Sequence, residues 1–136
     1  MQIRMEESKP TLLLVHGSPR KINEYLFEDR PLATFKRLAA LAGTDLVVFG
    51  HTHKPYQKRV GGTLFVNAGS VGKPHDGDRR ACYALLDFGR GARVDLRRVT
   101  YDVTAAAEAV RQAGLPFEFA DILENGGPPI AADEPR

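Results

Sequence analysis

Cys82 is the only cysteine in the chain, so no intramolecular disulfide holds the fold together. Its setting, Ala81 to Leu86, reads as a strand, and a buried structural thiol fits there better than a nucleophile. No apolar run approaches the roughly 18 residues of a membrane span. The residues from Met1 to Glu7 lack the apolar core of a signal peptide. A cytoplasmic location is therefore expected. A large excess of one charge is also lacking. The formal net charge is +2, too weak to argue for nucleic acid, and no basic stripe is interleaved with aromatics. Arg79-Arg80 and Arg97-Arg98 are isolated pairs on what reads as a solvated face. No internal repeat is present, and no domain boundary appears before position 126.

What is there reads as one folded domain. A chain of 136 residues is long enough for a real core. With 43% apolar and 26% charged residues, the composition is that of a globular protein rather than a disordered one. Gln2 to Met5 alternates as a short strand would. Thr11 to Val15 is apolar on nearly every residue, as in a strand buried on both faces. Pro31 suits the first turn of a helix, and Leu32, Phe35, Leu38, Ala39 and Ala42 recur at helical spacing up to Gly43. Asp45 to Phe49 is the next strand. Strand, helix, strand predicts a βαβ unit with both strands parallel.

Beyond Pro55 the pattern changes to hairpins. Tyr56 to Val60 and Thr63 to Val66 flank Gly61-Gly62, which permits a tight turn. Ala81 to Phe88 and Arg93 to Tyr101 form a second hairpin. Thr104 is the expected N-cap of a helix from Ala105 to Gln112. Pro116 opens a short helix through Leu123. The Gly, Pro and acid-rich stretch from Gly126 to Arg136 is expected to be a disordered tail behind a domain of residues 1–125.

The chemistry concentrates at strand ends. His16 follows the first strand, and His51 and His53 follow the second. A parallel pair carries all three to one edge of the sheet, where α/β folds place their ligands. Neutral imidazole is the commonest metal ligand. Ser18 and the loop Asn67-Ala68-Gly69-Ser70 offer backbone N–H groups to an anion. Imidazoles beside such loops suit a metal site holding phosphate. His75, in a turn-rich loop, reads as a solvated residue.

Leu14-Val15-His16-Gly17-Ser18-Pro19, Gly50-His51-Thr52-His53 and Asn67-Ala68-Gly69-Ser70 resemble the last three motifs of the calcineurin-like metallophosphoesterases. The likeness is to the small bacterial single-domain phosphodiesterases, which share a fold with the eukaryotic retromer subunit. Val71 to Asp78 and Tyr83 to Asp87 also look like that branch. The resemblance runs from about Leu12 to Gly114. It implies an α/β two-sheet sandwich flanked by helices, of which this chain would be the C-terminal half. It implies two divalent metals (manganese, iron, zinc or nickel), with His16 and His51 on the second and His53 on the first. Ser18, Asn67, Gly69 and Ser70 would face the phosphate of a small phosphorylated substrate. Ala68 stands where the family usually has proline.

The chain departs from the pattern by lacking the family's Asp-x-His, strand-end Gly-Asp and Gly-Asn motifs. Two divalent cations carry more charge than three neutral imidazoles offset, and hard cations require carboxylate oxygen. Glu24, Glu28 and Asp29 lie in a polar segment, and Asp45 sits at the far end of its strand. At most one metal is expected for this chain alone. Three readings follow: part of a metal-dependent phosphoesterase, a catalytically inactive interaction module, or a mononuclear three-histidine hydrolase. A strand as apolar as Thr11 to Val15 needs cover on both faces. Self-association or binding of an N-terminal partner half is therefore expected.

Overall fold

A computed structural model describes residues 9–88 and 92–127. In chain order the elements are β1 (Leu12–Leu14), α1 (Leu32–Ala42), β2 (Leu46–Phe49), β3 (Tyr56–Val60), β4 (Thr63–Asn67), β5 (Ala81–Asp87), β6 (Arg93–Val99), α2 (Val103–Gln112) and α3 (Phe117–Asn125). Four strands form one sheet in the order β1-β2-β4-β3, and β5 and β6 form a second. β1 and β2 are parallel, with Leu12, Leu13 and Leu14 opposite Leu46, Val47 and Val48. β2 and β4 are also parallel, and β3 runs antiparallel to β4.

β2 is central, and all four of its residues are buried. Their alternation splits the core into two layers. Val47 and Phe49 face α1, where they pack with Leu26, Phe35, Leu38, Tyr56, Val60 and Phe65. Burying Phe35 and Leu38 stabilises the helix against the sheet by about 1.5–3 kcal/mol per side chain. Leu46 and Val48 face the other way and pack with Leu64 and Val66 under Ala84, Leu86, Val94 and Leu96 of the second sheet. The α1 helix begins after Pro31 and ends at Gly43, whose φ of 60° closes the last turn on the Ala39 carbonyl. The Tyr56 hydroxyl donates to the Leu26 carbonyl at 2.7 Å, tying the segment before α1 to the core.

β1 corrects one expectation. Among the described residues it is an edge strand, and only Leu13 and Val15 join the core. Leu12 is 41% and Leu14 72% exposed. Both lie in register with Leu46 and Val48, on the face that the β5–β6 sheet covers further along. In composition the run matches β2, which is buried on both faces. The difference is position: among the described residues β2 has neighbours on both sides and β1 on one.

At the other end of the chain, α2 and α3 pair through Val103, Ala107, Ala120 and Leu123. Arg111 grips the Glu124 carboxylate with its two terminal guanidinium nitrogens, at 3.1 and 2.8 Å. The α2 cap is Asp102, whose carboxylate accepts from the Ala105 N–H at 2.9 Å, rather than Thr104. Gly126 and Gly127 are buried instead of opening a loose tail. The Gly77 N–H donates to the Gly126 carbonyl at 3.1 Å. A Cβ on Gly126 would lie 2.4 Å from the Gly77 carbonyl carbon, so only glycine allows this approach. The expected strand at Gln2 to Met5 and the rest of the tail lie outside the described residues. No helix among the described residues is long and apolar enough to cross a membrane.

Candidate metal centre

The site grows from the adjacent ends of β1 and β2. Leaving β1, the chain passes His16 and turns at Gly17. A Cβ at Gly17 would meet the Ile22 carbonyl oxygen at 2.5 Å, so the following loop folds directly onto it. Ser18 is buried and its hydroxyl is engaged inside that loop. It accepts from the Lys21 N–H at 3.1 Å and donates to the Glu24 carboxylate. Glu24 is held in turn by Arg20. That guanidinium is the main reason its pKa lies below the ordinary value, against the effect of burial.

Leaving β2, Gly50-His51-Thr52-His53 coils tightly. His51 has a φ of 65° and His53 a φ of 56°, the left-handed region that few non-glycine residues adopt. Asn67, at the end of β4, holds this coil from below. It is fully buried. Its amide donates to the Gly50 carbonyl at 2.9 Å and to the Thr52 hydroxyl at 2.8 Å. Its own oxygen accepts from the Gly69 N–H at 2.9 Å. Gly69 has a φ of 76°, and a Cβ there would sit 3.0 Å from the Cys82 side chain. The Ser70 hydroxyl accepts from the Lys73 N–H at 2.9 Å. The side chains of Ser18, Asn67 and Ser70 thus all make bonds within the fold.

The imidazoles fall into two touching pairs. His16 Nε2 and His51 Nδ1 share a hydrogen bond of 2.9 Å. Tyr25 covers the His51 ring at a centroid distance of 4.2 Å. His51 Nε2 is buried with no hydrogen-bond partner. Burial, then the charge of His16, lowers the His51 pKa; the Asn23 backbone opposes the shift but stands outside hydrogen-bond geometry. In the second pair, His53 Nδ1 is 2.7 Å from the Lys73 carbonyl oxygen. A carbonyl only accepts, so Nδ1 carries the proton and Nε2 keeps its lone pair, the tautomer a metal ligand requires. Burial lowers the His53 pKa most; the Lys73 carbonyl opposes this, and the charges of His75, Lys73 and His51 add to it.

His75 stacks on His53 with ring centroids 5.6 Å apart and an interplanar angle of 28°. Its Nδ1 is buried without a partner. The expectation of a solvated loop histidine is therefore wrong. The contact spans 22 positions and comes from the path of the 70–80 loop, which no local pattern reveals. That loop is clamped at its base. Asp76 pairs with Arg98, and Asp78 pairs with Arg80 at 2.6 Å. Arg80 above all holds the Asp78 carboxyl down to about 2.

These donors fit a two-metal centre only in part. Neutral nitrogen ligands are present, with two buried imidazole nitrogens, His51 Nε2 and His75 Nδ1, unpartnered. No group of three histidine, cysteine, aspartate or glutamate side chains converges on one point among the described residues. Glu24, Asp76 and Asp78 are each committed to an arginine. The described residues therefore do not make a complete metal site.

Comparison with known proteins places this geometry in a family. The metallophosphoesterase of Sphaerobacter thermophilus superposes with a TM-score of 0.76 at 30% identity, over 90% of this chain and 56% of that one. The hypothetical protein PH1004 of Pyrococcus horikoshii shares the fold, with a TM-score of 0.76 at 22% identity over 88% of this chain and 48% of that one. The uncharacterized protein MJ0912 of Methanocaldococcus jannaschii is 30% identical over 129 residues, 82% of this chain and 50% of that protein. The chain thus spans about half the length of these relatives. The four-stranded mixed sheet, the second sheet and the three helices match the metallophosphoesterase fold. The calcineurin-like phosphoesterase superfamily domain matches residues 2–91, which include His16, His51, His53 and His75, and the chain belongs to that superfamily.

Proposed function

We propose that this chain supplies the histidine side of a metal-dependent phosphoesterase that hydrolyses phosphodiesters or phosphomonoesters. One observation carries the reading: His53 is held as the Nδ1–H tautomer by the Lys73 carbonyl, beside an imidazole pair whose buried Nε2 has no partner. Proteins rarely leave such a nitrogen unsatisfied without a use for it. His16 and His51 would hold one divalent ion and His53 the other. Such ions polarise a phosphoryl oxygen and lower the pKa of a bound water. Manganese, iron, zinc and nickel all suit imidazole nitrogen. The anionic ligands come from outside the described residues, and the open edge of β1 is where a further strand, from a second copy or an N-terminal half, would bring them. The loops at Ser18, Asn67, Gly69 and Ser70 would border the phosphate, with the Ser18 and Gly69 N–H groups already donating to the Lys21 carbonyl and to Asn67.

A second reading has its own observation. The site's carboxylates are all committed to arginines, which suits an inactive chain used as an interaction module. A mononuclear three-histidine hydrolase has no such support, because no ligand triad forms among the described residues. The experiment is metal analysis by mass spectrometry after loading with manganese or zinc, together with turnover of bis(p-nitrophenyl) phosphate. This chain alone is expected to take up at most one metal ion and to turn over weakly, and His53→Ala should lower that turnover further. A folded chain that takes up no metal overturns the proposal in favour of the interaction module.

A further inference from the structure

Lys73 has its backbone in the site and its side chain outside it. Its carbonyl accepts from His53 and its N–H donates to Ser70, so the position of its Cα is fixed from both sides. The side chain is exposed, and no carboxylate pairs with its ammonium among the described residues. This contrasts with Arg80 and Arg98, which are both spent on aspartates. The Lys73 ammonium instead lies over the ring of Phe119, 4.8 Å from its centroid.

Phe119 belongs to α3, whose buried residues are Ala120 and Leu123. It is 40% exposed. Its ring lies under the ammonium of a residue whose carbonyl is in the site. The charge beside this ring says what it would meet. An ammonium next to imidazoles attracts an anion, and a flat apolar ring beneath it accepts another flat ring.

We propose that Lys73 and Phe119 form the subsite for the organic group of the substrate, and that it selects phosphoesters carrying a planar aromatic group. This rests on the phosphoesterase reading above. With no ligand bound, the ammonium covers the Phe119 face. An exposed cation–π contact is weaker than a charge-assisted hydrogen bond to phosphate. An arriving phosphate therefore draws Lys73 toward the histidines and uncovers the ring for stacking. Aryl phosphates and nucleotides share the required chemistry, a phosphate one short linker away from an aromatic ring.

Binding separates the possibilities without relying on turnover. The chain, without and with added manganese, is titrated by calorimetry with inorganic phosphate, methyl phosphate, phenyl phosphate and adenosine 5′-monophosphate. Phenyl phosphate should bind about three- to tenfold more tightly than methyl phosphate, the range of one aromatic stacking contact. Phe119→Leu keeps an apolar side chain at an exposed position and should bring the two ligands to within about twofold. Lys73→Gln should weaken all four ligands, inorganic phosphate included. If adenosine 5′-monophosphate alone outbinds methyl phosphate, the aromatic group is a nucleobase; if phenyl phosphate does so as well, any aromatic ester is accepted. Equal binding of phenyl, adenosine and methyl phosphates, or a preference unchanged in Phe119→Leu, overturns the subsite and leaves the phosphoesterase reading standing. A folded chain that binds none of the four, without manganese and with it, overturns both.

Discussion

Replacing Asn67 with alanine should unfold the candidate site before it touches any substrate. The side chain makes three hydrogen bonds, to the Gly50 carbonyl, the Thr52 hydroxyl and the Gly69 N–H, all between 2.8 and 2.9 Å. Each such bond contributes a net of about 1 kcal/mol, and a buried group left unpaired costs about 1–3 kcal/mol. Asn67 and Thr52 are both fully buried, so water does not easily replace the lost partners. The sum is about 3–5 kcal/mol, a large part of the roughly 5–15 kcal/mol that holds a domain together. For a domain of this size the melting temperature should fall by roughly 10 °C or more. Urea denaturation of wild type and Asn67→Ala measures the effect directly. Asn67→Asp is the control. It keeps the shape but sets a buried carboxylate oxygen against the Gly50 carbonyl, so it should not rescue. A loss below about 1 kcal/mol in Asn67→Ala would refute the bracing role.

Three further outcomes follow from other parts of the fold. Cys82 is buried, and burial is the main cause of its raised thiol pKa; a thiol reagent at neutral pH should label the native chain far more slowly than the urea-unfolded chain, and equal rates would contradict the packing of β5. His51 and His53 both have pKa values lowered from 6.5 in the fold. Above that pH both states are neutral and stability is flat; below it the unfolded chain takes up protons first, so stability falls until the folded imidazoles protonate too. Denaturation midpoints between pH 8 and 5 test this, and the slope should shrink in His51→Asn/His53→Asn. Among the described residues Leu12 and Leu14 lie exposed on an open parallel edge, so sedimentation at micromolar concentration should show association that Leu14→Lys reduces, whereas a monomer at every concentration would mean that the edge is self-sufficient.

Much of this architecture is legible in the residues. The β2 run, the Pro31 to Gly43 helix and the Gly61-Gly62 hairpin each follow from local periodicity and turn chemistry, and each is where it was expected. The meeting of His16 with His51 follows from the parallel pairing of two strands that both end in histidine. What local patterns miss is set by neighbours. Leu12 and Leu14 are as hydrophobic as the residues of β2, yet exposure depends on which strand lies alongside. Asp102 and Thr104 are both capable caps, and the backbone path decides between them. His75 meets His53 only because Asp76 and Asp78 anchor its loop on arginines and Gly127 packs against it, with a hypothetical Cβ there only 3.1 Å from His75 Nδ1. By its motif Asn67 is expected to face phosphate. Its amide has the donors for that, but they point inward, to the turn that carries the histidines.

That turn also separates selection for folding from selection for chemistry. His51 and His53 both hold left-handed backbone, where glycine is unpenalised, asparagine is tolerated and β-branched residues are excluded. An alanine scan here would mix two effects, removal of the imidazole and a side chain no better suited to the backbone. Glycine and asparagine keep the coil comfortable while deleting the ring. In a saturation library sorted only for soluble, folded chains, these two residues should therefore rise at positions 51 and 53 and histidine should decline. A library sorted for the chemistry would reverse the order. The gap between the two spectra at each position would measure how much conformational ease the chain gives up to keep an imidazole there.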